Sequence, residues 1–287
     1  MLNMHEETFF ECAVPYEEAE IALFGAPFDS TSSFRPGARF ASRAMRGDSF
    51  GLESYSPYQD KDLTDIRYCD AGELLLPFGN TGEALGIIEK QTEAFLNDRK
   101  LPLMIGGEHL VTLGAVRAVL ARYPDLHILQ LDAHADLRET YLGEHLSHAT
   151  VLRRCWDLVG DGRIHQFGIR SGDREEFLWA KGHTHLHKFD FTALPATIAA
   201  LAGKPIYLTL DLDILDPGDF PGTGTPEAGG VDFPQLLSAL LAISSLPIVA
   251  CDICELAPVY DQSGASTAIA LKVLRELLLA LGDKSPK

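Results

Sequence analysis

Basic side chains are scarce in this chain of 287 residues: 24 Lys and Arg stand against 41 Asp and Glu, a formal net charge of −17. Nucleic-acid and anionic-membrane surfaces depend on clustered Lys and Arg, so both partner classes are disfavoured. Cysteine is sparse as well. Cys12, Cys69, Cys155, Cys251 and Cys254 are odd in number and too few to staple a chain this long. The longest largely apolar stretch, residues 236–250, contains three serines and Pro247, and falls short of the ~20 apolar residues a bilayer span needs. The first eleven residues are acidic and lack both the basic and the apolar regions of a secretory leader, so a reduced, cytoplasmic protein is expected. No repeat, low-complexity tract or Ser/Gly/Pro-rich linker divides the sequence. With 46% hydrophobic and 23% charged residues, the composition is that of a folded globular protein.

What the sequence does contain is alternation. Short runs rich in Ile, Leu and Val occupy residues 21–25, 103–106, 126–133, 164–169, 206–213 and 248–254. Their continuous apolar character predicts strands covered on both faces. Longer amphipathic runs, at 83–98, 110–122, 234–244 and 265–281, predict helices between them. In the second of these, Leu113, Val116, Leu120 and Tyr123 follow the spacing of one helical face. The expected fold is α/β, a three-layer α/β/α arrangement with a mostly parallel central sheet, forming a single domain over residues 1–287.

Such sheets place ligands beyond the carboxyl ends of their strands, and here those ends carry unusual chemistry. Gly107-Glu108-His109 follows the second run, and Asp132-Ala-His-Ala-Asp136 the third. The fifth run closes on Asp211-Leu-Asp213, and the sixth leads into Glu255. In an extended chain, residues at i, i+2 and i+4 share one face with roughly 6.5–7 Å between successive Cα atoms, so Asp132, His134 and Asp136 can converge, as can Asp211 and Asp213. Carboxylates with imidazole and no thiolate suit Mn²⁺ and similar metals better than structural zinc. There are too many ligands for one tetrahedral ion, so a binuclear site is inferred. Isolated Asp residues are common at turns, but five acids at one rim would repel one another unless a metal pair resolved the repulsion.

These motifs carry a resemblance. The chain resembles the ureohydrolases, the arginase/agmatinase family of binuclear manganese enzymes, from Gly25-Ala-Pro-Phe-Asp29 and Arg35-Pro-Gly-Ala-Arg39 through Ile105-Gly-Gly-Glu-His109 and Asp132-Ala-His-Ala-Asp136. The likeness continues through Thr209-Leu-Asp-Leu-Asp213, Asp216-Pro217 and Gly224-Thr-Pro-Glu-Ala-Gly-Gly230 to Glu255. It departs at Ala41-Ser42, where the family usually has Gly-Pro, and at Thr209, where it usually has Ser. The resemblance implies an arginase-like fold and two Mn²⁺ per chain. One ion would be held by His109, Asp132, Asp136 and Asp211, the other by Asp132, His134, Asp211 and Asp213, with Asp132 and Asp211 bridging. It also implies attack of a metal-activated water on a guanidinium carbon, releasing urea and an amine. Asp136 would orient that water, His148 in Ser147-His-Ala-Thr150 would move a proton to the leaving amine, and Glu255 would pair with the guanidinium. Homotrimers or hexamers are implied as well.

The guanidino substrate is read from what arginases have and this chain lacks. Arginases usually carry Asn and Ser before the catalytic histidine, holding the amino acid's carboxylate. Here residues 137–146 read Leu-Arg-Glu-Thr-Tyr-Leu-Gly-Glu-His-Leu, which looks like agmatinases. Agmatine has a distal ammonium, for which Asp173, Glu139 and Glu144 are the candidate partners. Arg138 or Arg170 would instead suit a carboxylate-bearing substrate such as guanidinobutyrate or formiminoglutamate. A zinc deacetylase of similar architecture is disfavoured by the Asp-x-Asp and Gly-Gly-Glu-His segments. A non-enzymatic metal-binding protein is disfavoured by the presence of His148 and Glu255.

Three motifs are set aside. Cys251 and Cys254 are three apart in a strand and face opposite ways, so they are core residues and not a redox pair. His183, His185 and His187 are read as a solvated strand or turn, or a subunit contact, without nearby acids. Gly222-Thr-Gly-Thr-Pro226 lacks the Lys-Ser/Thr of a phosphate loop.

Overall fold

The computed structural model describes residues 7–11 and 13–282; Cys12 lies outside them. The chain runs β1 (Ile21–Ala26), α1 (Ala41–Asp48), β2 (Tyr55–Ser56), β3 (Lys61–Asp62), β4 (Tyr68–Glu73), α2 (Thr81–Asn97), β5 (Leu101–Gly106) and α3 (Thr112–Arg122). It continues with β6 (His127–Leu131), α4 (Val151–Val159), β7 (Ile164–Ile169), α5 (Arg174–His183), β8 (His185–Lys188), α6 (Leu194–Ala200), β9 (Ile206–Asp211), α7 (Phe233–Ile243), β10 (Ile248–Cys254) and α8 (Ala265–Gly282). β2 and β3 form a small hairpin, and the other eight strands form one sheet in the order β4-β1-β5-β10-β9-β6-β7-β8. All its strand pairings are parallel.

Both faces of the sheet are covered, as the apolar strands required. Leu103, Ile105, Leu129, Leu131 and Cys251 pack with residues of α1, α7 and α8 on one side. Met104, Ile128 and Cys254 pack with α2, α3 and α4 on the other. Cys251 and Cys254 therefore sit in opposite layers, both buried.

Each of the six expected strands and four expected helices is present, with ends shifted by local chemistry. Asn80 caps α2 by accepting the Glu83 N–H, and Asp232 forms a capping box with Gln235 at the start of α7. The runs expected to extend to residues 133 and 213 stop at Leu131 and Asp211. The edge strands β4 and β8 and the helices α1, α4, α5 and α6 are additional. The edge strands have mixed burial along their length and lack a continuous apolar run. At the Ala41-Ser42 departure the chain simply enters α1; Ser42 is buried and donates to Glu73 Oε1 at 2.8 Å.

Candidate active site

The four strand ends singled out in the sequence are neighbours in the sheet: β5, β10, β9 and β6 lie side by side. Their carboxyl ends bring His109, Glu255, Asp211 and Asp132 to one rim. The order also changes direction here, because the chain leaves β5 for β6 and returns later to fill the gap with β9 and β10. Crevices of this kind are where open α/β sheets bind ligands.

The ligand segments are not extended, contrary to the expectation from spacing. Asp132 Oδ1 accepts the N–H of His134 at 2.6 Å, bending the chain directly after β6. Asp136 then adopts left-handed backbone geometry (φ 54°). Asp211 Oδ1 accepts the N–H of Asp213 at 2.8 Å, so Asp213 lies in a short 3₁₀ turn, Leu212–Ile214. Asp side chains bonding to the backbone two residues on compete with the strand ladder. The convergence is real, but turns produce it and not pleat periodicity.

His109 Nδ1 lies 3.0 Å from Asp132 Oδ2, 3.1 Å from Asp136 Oδ2 and 3.5 Å from Asp211 Oδ2. His134 Nδ1 lies 2.9 Å from Asp213 Oδ2 and 3.7 Å from Asp132 Oδ1. Two metal-compatible groups result, His109–Asp132–Asp211 and Asp132–His134–Asp213, sharing Asp132.

Hydrogen bonding tests whether a cation fits. His109 Nε2 is 2.8 Å from Thr209 Oγ1, and that hydroxyl donates to Asp252 Oδ1 at 2.7 Å. The Thr209 proton is thus committed, so Nε2 carries an imidazole hydrogen and Nδ1, a lone pair in the neutral ring, faces the three carboxylates. Nδ1 is buried and without a hydrogen bond. A lone pair and carboxylate oxygens meeting in a buried space are the donor set of a metal ion, and the histidine is oriented through its other nitrogen as metal-bound histidines commonly are. The residues present fit the implied metal.

Burial opposes charge on His109 and His134, yet the surrounding carboxylates hold both well above the usual imidazole value, so Nδ1 carries a proton unless a metal ion displaces it. Burial, Asp213 and Asp132 push Asp211 upward, and burial with Asp132 takes Asp136 up to about 7. Burial and Glu108 likewise raise Glu255. The rim is a site of negative charge awaiting a cation.

Beside these groups opens a cavity of about 260 Å³, lined by His109, His134, Asp136, Asp211, Glu255 and His148 among others. His148 heads a turn capped by Ser147, and burial with His134 and His109 nearby lowers its imidazole to about 4. Glu255 has φ 66°, and its Oε1 accepts the His109 N–H at 2.7 Å. Two carboxylates of the cleft, Asp136 and Glu255, thus hold a backbone conformation that L-residues rarely adopt, as functional positions often do.

Asp173 is not among the lining residues. It caps α5 by accepting the Glu176 N–H at 3.0 Å, and Glu176 lines the cavity instead. Glu139 pairs outward with Arg153 and Arg154, and neither it nor Glu144 lines the cavity. Arg170 donates to the carbonyls of Gly168, Asp213, Ile214, Leu215 and Glu227, so it braces the Asp213 turn and is not open to a substrate carboxylate. Arg138 does reach the cavity, 3.4 Å from Glu176 and 3.6 Å from Asp173. Sequence reading missed Ser33, Tyr141, Glu176 and Thr225 on the wall, and Asp252 behind it. The capping pattern Asp173-x-x-Glu176 was the available signal for Glu176. Thr225, within the glycine-bearing segment set aside as no phosphate loop, donates to Asp213 Oδ2 at 3.3 Å. His183 does have an acidic neighbour, Asp161 at 2.6 Å, contrary to expectation.

Residues 19–280 match the family described as the arginase family. The chain belongs to the arginase family. It is 46% identical over 277 residues to an agmatinase from Bacillus cereus, covering 95% of this chain and 96% of that protein. A guanidinobutyrase from Pseudomonas aeruginosa is 31% identical, over 91% of this chain and 86% of that one. Among solved structures, the agmatine ureohydrolase of Thermoplasma volcanium superposes with a TM-score of 0.89 at 33% identity, covering 97% of this chain and 95% of the other. The arginase-like fold and membership of a hydrolase family are thereby established, and none of the helices among the described residues is long and apolar enough to cross a membrane.

Proposed function

We propose that this arginase-family hydrolase cleaves agmatine to putrescine and urea at a binuclear manganese centre. The observation that carries the reading is the shared Asp132: two His-and-carboxylate groups meet there, and their His109, His134 and Asp211 line a cavity also walled by Glu255 and His148. We assign one ion to His109, Asp132, Asp136 and Asp211 and the other to Asp132, His134, Asp211 and Asp213. When bound, two such ions supply a water acidic enough to act as nucleophile near neutral pH.

The chain's own residues do the rest. Glu255, with Oε1 engaged by the His109 N–H, offers its other oxygen to a guanidinium N–H, setting the plane of the carbon to be attacked. Asp136 accepts a proton from the attacking water. His148, held low, rests as a neutral imidazole at pH 7, so it can take up the proton that Asp136 received and pass it to the departing amine nitrogen, which leaves poorly unprotonated. Glu176 on the wall is the proposed partner of the distal ammonium. Asp173 supports it from outside the cavity by capping α5. Arg138 is paired with Glu176 and Asp173, which lessens its availability to a substrate carboxylate. A cytoplasmic homo-oligomer is the expected working form.

The test is urea release by Mn²⁺-loaded protein from agmatine, arginine, guanidinobutyrate, guanidinopropionate and formiminoglutamate, with metal analysis alongside. Agmatine is expected to give the highest kcat/KM and manganese to approach two ions per chain. A preference for a carboxylate-bearing compound would overturn the substrate; a single tightly held zinc would overturn the centre.

A further inference from the structure

The turn that supplies His109 also supplies Glu108, a fully buried carboxylate committed to a different task. Its Oε1 accepts the Thr31 hydroxyl at 2.6 Å, and its Oε2 accepts the Thr31 N–H at 2.9 Å and the Ser32 hydroxyl at 3.1 Å. The Glu108 N–H in turn donates to the Phe28 carbonyl at 2.7 Å. Residues 27–37 contain no helix or strand; these bonds fix the path of residues 31–32, while Asp29 and Tyr260 hold the rest by accepting the Gly37 N–H and donating to the Pro36 carbonyl, each at 2.8 Å.

That path leads to His148. With its one proton given to Glu108, Thr31 Oγ1 has lone pairs left, and it accepts the backbone N–H of His148 at 3.0 Å. Two residues on, Ser33 Oγ lies 3.1 Å from His148 Nε2. The histidine is therefore gripped at both its backbone and its ring by one segment. That segment is anchored on the residue beside a proposed metal ligand. His148 itself opens a short 3₁₀ turn that Ser147 caps and that leads into α4, and the Tyr141 ring meets the imidazole edge-on at 5.8 Å, so the segment of residues 31–33 adds its grip to these local constraints.

We propose that Glu108 and Thr31 are positioning residues for proton transfer: together they clamp the segment of residues 31–33 onto His148 and set the imidazole over the cleft. The proposal rests on the reading of His148 as the group that delivers the proton. A hydroxyl serving as donor to a buried carboxylate and acceptor from an amide can be replaced by serine but not by valine. The clamp thus makes a chemical prediction at Thr31 that a merely space-filling residue would not.

The experiment compares Thr31→Val and Thr31→Ser with wild type, alone and combined with His148→Phe, in Mn²⁺-loaded protein. Thr31→Val is expected to lower kcat at least tenfold with KM within twofold and both ions retained, and Thr31→Ser to recover kcat to within threefold. In the His148→Phe background, Thr31→Val should cost less than twofold, because the two residues act as one unit. Amide hydrogen exchange at His148 reports on the clamp without any turnover: it should rise in Thr31→Val and stay at the wild-type level in Thr31→Ser. Unchanged kcat, equal losses in both backgrounds, or unchanged exchange in Thr31→Val would each overturn the clamp. Wild-type protein inactive on every guanidino compound would refute the functional reading, while the exchange result would still decide the clamp. Should Thr31→Val not fold, Thr31→Ala takes its place in the same cycle and exchange measurement, with the same outcomes deciding.

Discussion

At the scale of single residues, the cleft separates holding from moving. His109 is fixed through Thr209 and Asp252, and Asp252 also accepts Thr112 and Tyr207 hydroxyls at 2.8 and 2.6 Å, so its carboxylate is fully occupied in the core. His148 touches none of this. It should be removable without dismantling the centre: His148→Phe is expected to lower kcat by about 10²–10⁴, the usual contribution of a positioned acid or base, while metal analysis still finds both ions. Undiminished turnover would strip His148 of its role. The candidate ligand residues were legible in the sequence because metal chemistry demands particular side chain types, here gathered after the strands that reach one rim. Thr31 was not, since its importance comes from Glu108 and His148, distant in the chain, and for Glu176 the capping pattern marks a helix start but not the cavity it faces.

At the scale of elements, the sheet has two kinds of strand. The inner ones read as apolar runs and were found from sequence. The order that sets them side by side was not, because a parallel strand carries no mark of its neighbour. Edge strand β8 is held by histidines as much as by apolar contacts. His185 stacks on His165 of β7 with ring centroids 4.6 Å apart, and His165 Nε2 lies 3.4 Å from His127 Nδ1 at the start of β6. Burial, then the neighbouring His185 and His127, lower the His165 pKa to about 3. The unfolded chain binds this proton near pH 6.5 and the folded chain does not, so the stabilisation is complete above that value and is lost as pH falls toward 3. Between pH 7 and 5, Tm is expected to drop by about 2–4 °C on this account. His165→Phe should flatten that part of the curve; an unchanged pH dependence in calorimetry would exclude the edge as its source.

At the scale of the whole molecule, the −17 charge becomes informative once the cleft is located. An acidic body with its opening at one end of the sheet draws cations toward it, an attraction that salt screens over ~10 Å at 0.1 M. The kcat/KM for dicationic agmatine is expected to fall severalfold between about 0.05 and 0.5 M salt, with kcat unchanged. A substrate of single charge should respond less. Equal responses from both would mean that the net charge plays no part in capture.

The placing of β9 and β10 has a consequence for synthesis. They are the last two strands made, yet they fill the middle of the sheet, between β5 and β6. A nascent chain ending before Ile206 would carry both of those inner strands with a bare edge, the kind of surface that templates aggregation. It would also have His109, Asp132, His134 and Asp136 but neither Asp211 nor Asp213. The centre as assigned therefore cannot close around its ions until the chain has been made past Asp213, so metal loading can only follow the entry of β9 into the sheet.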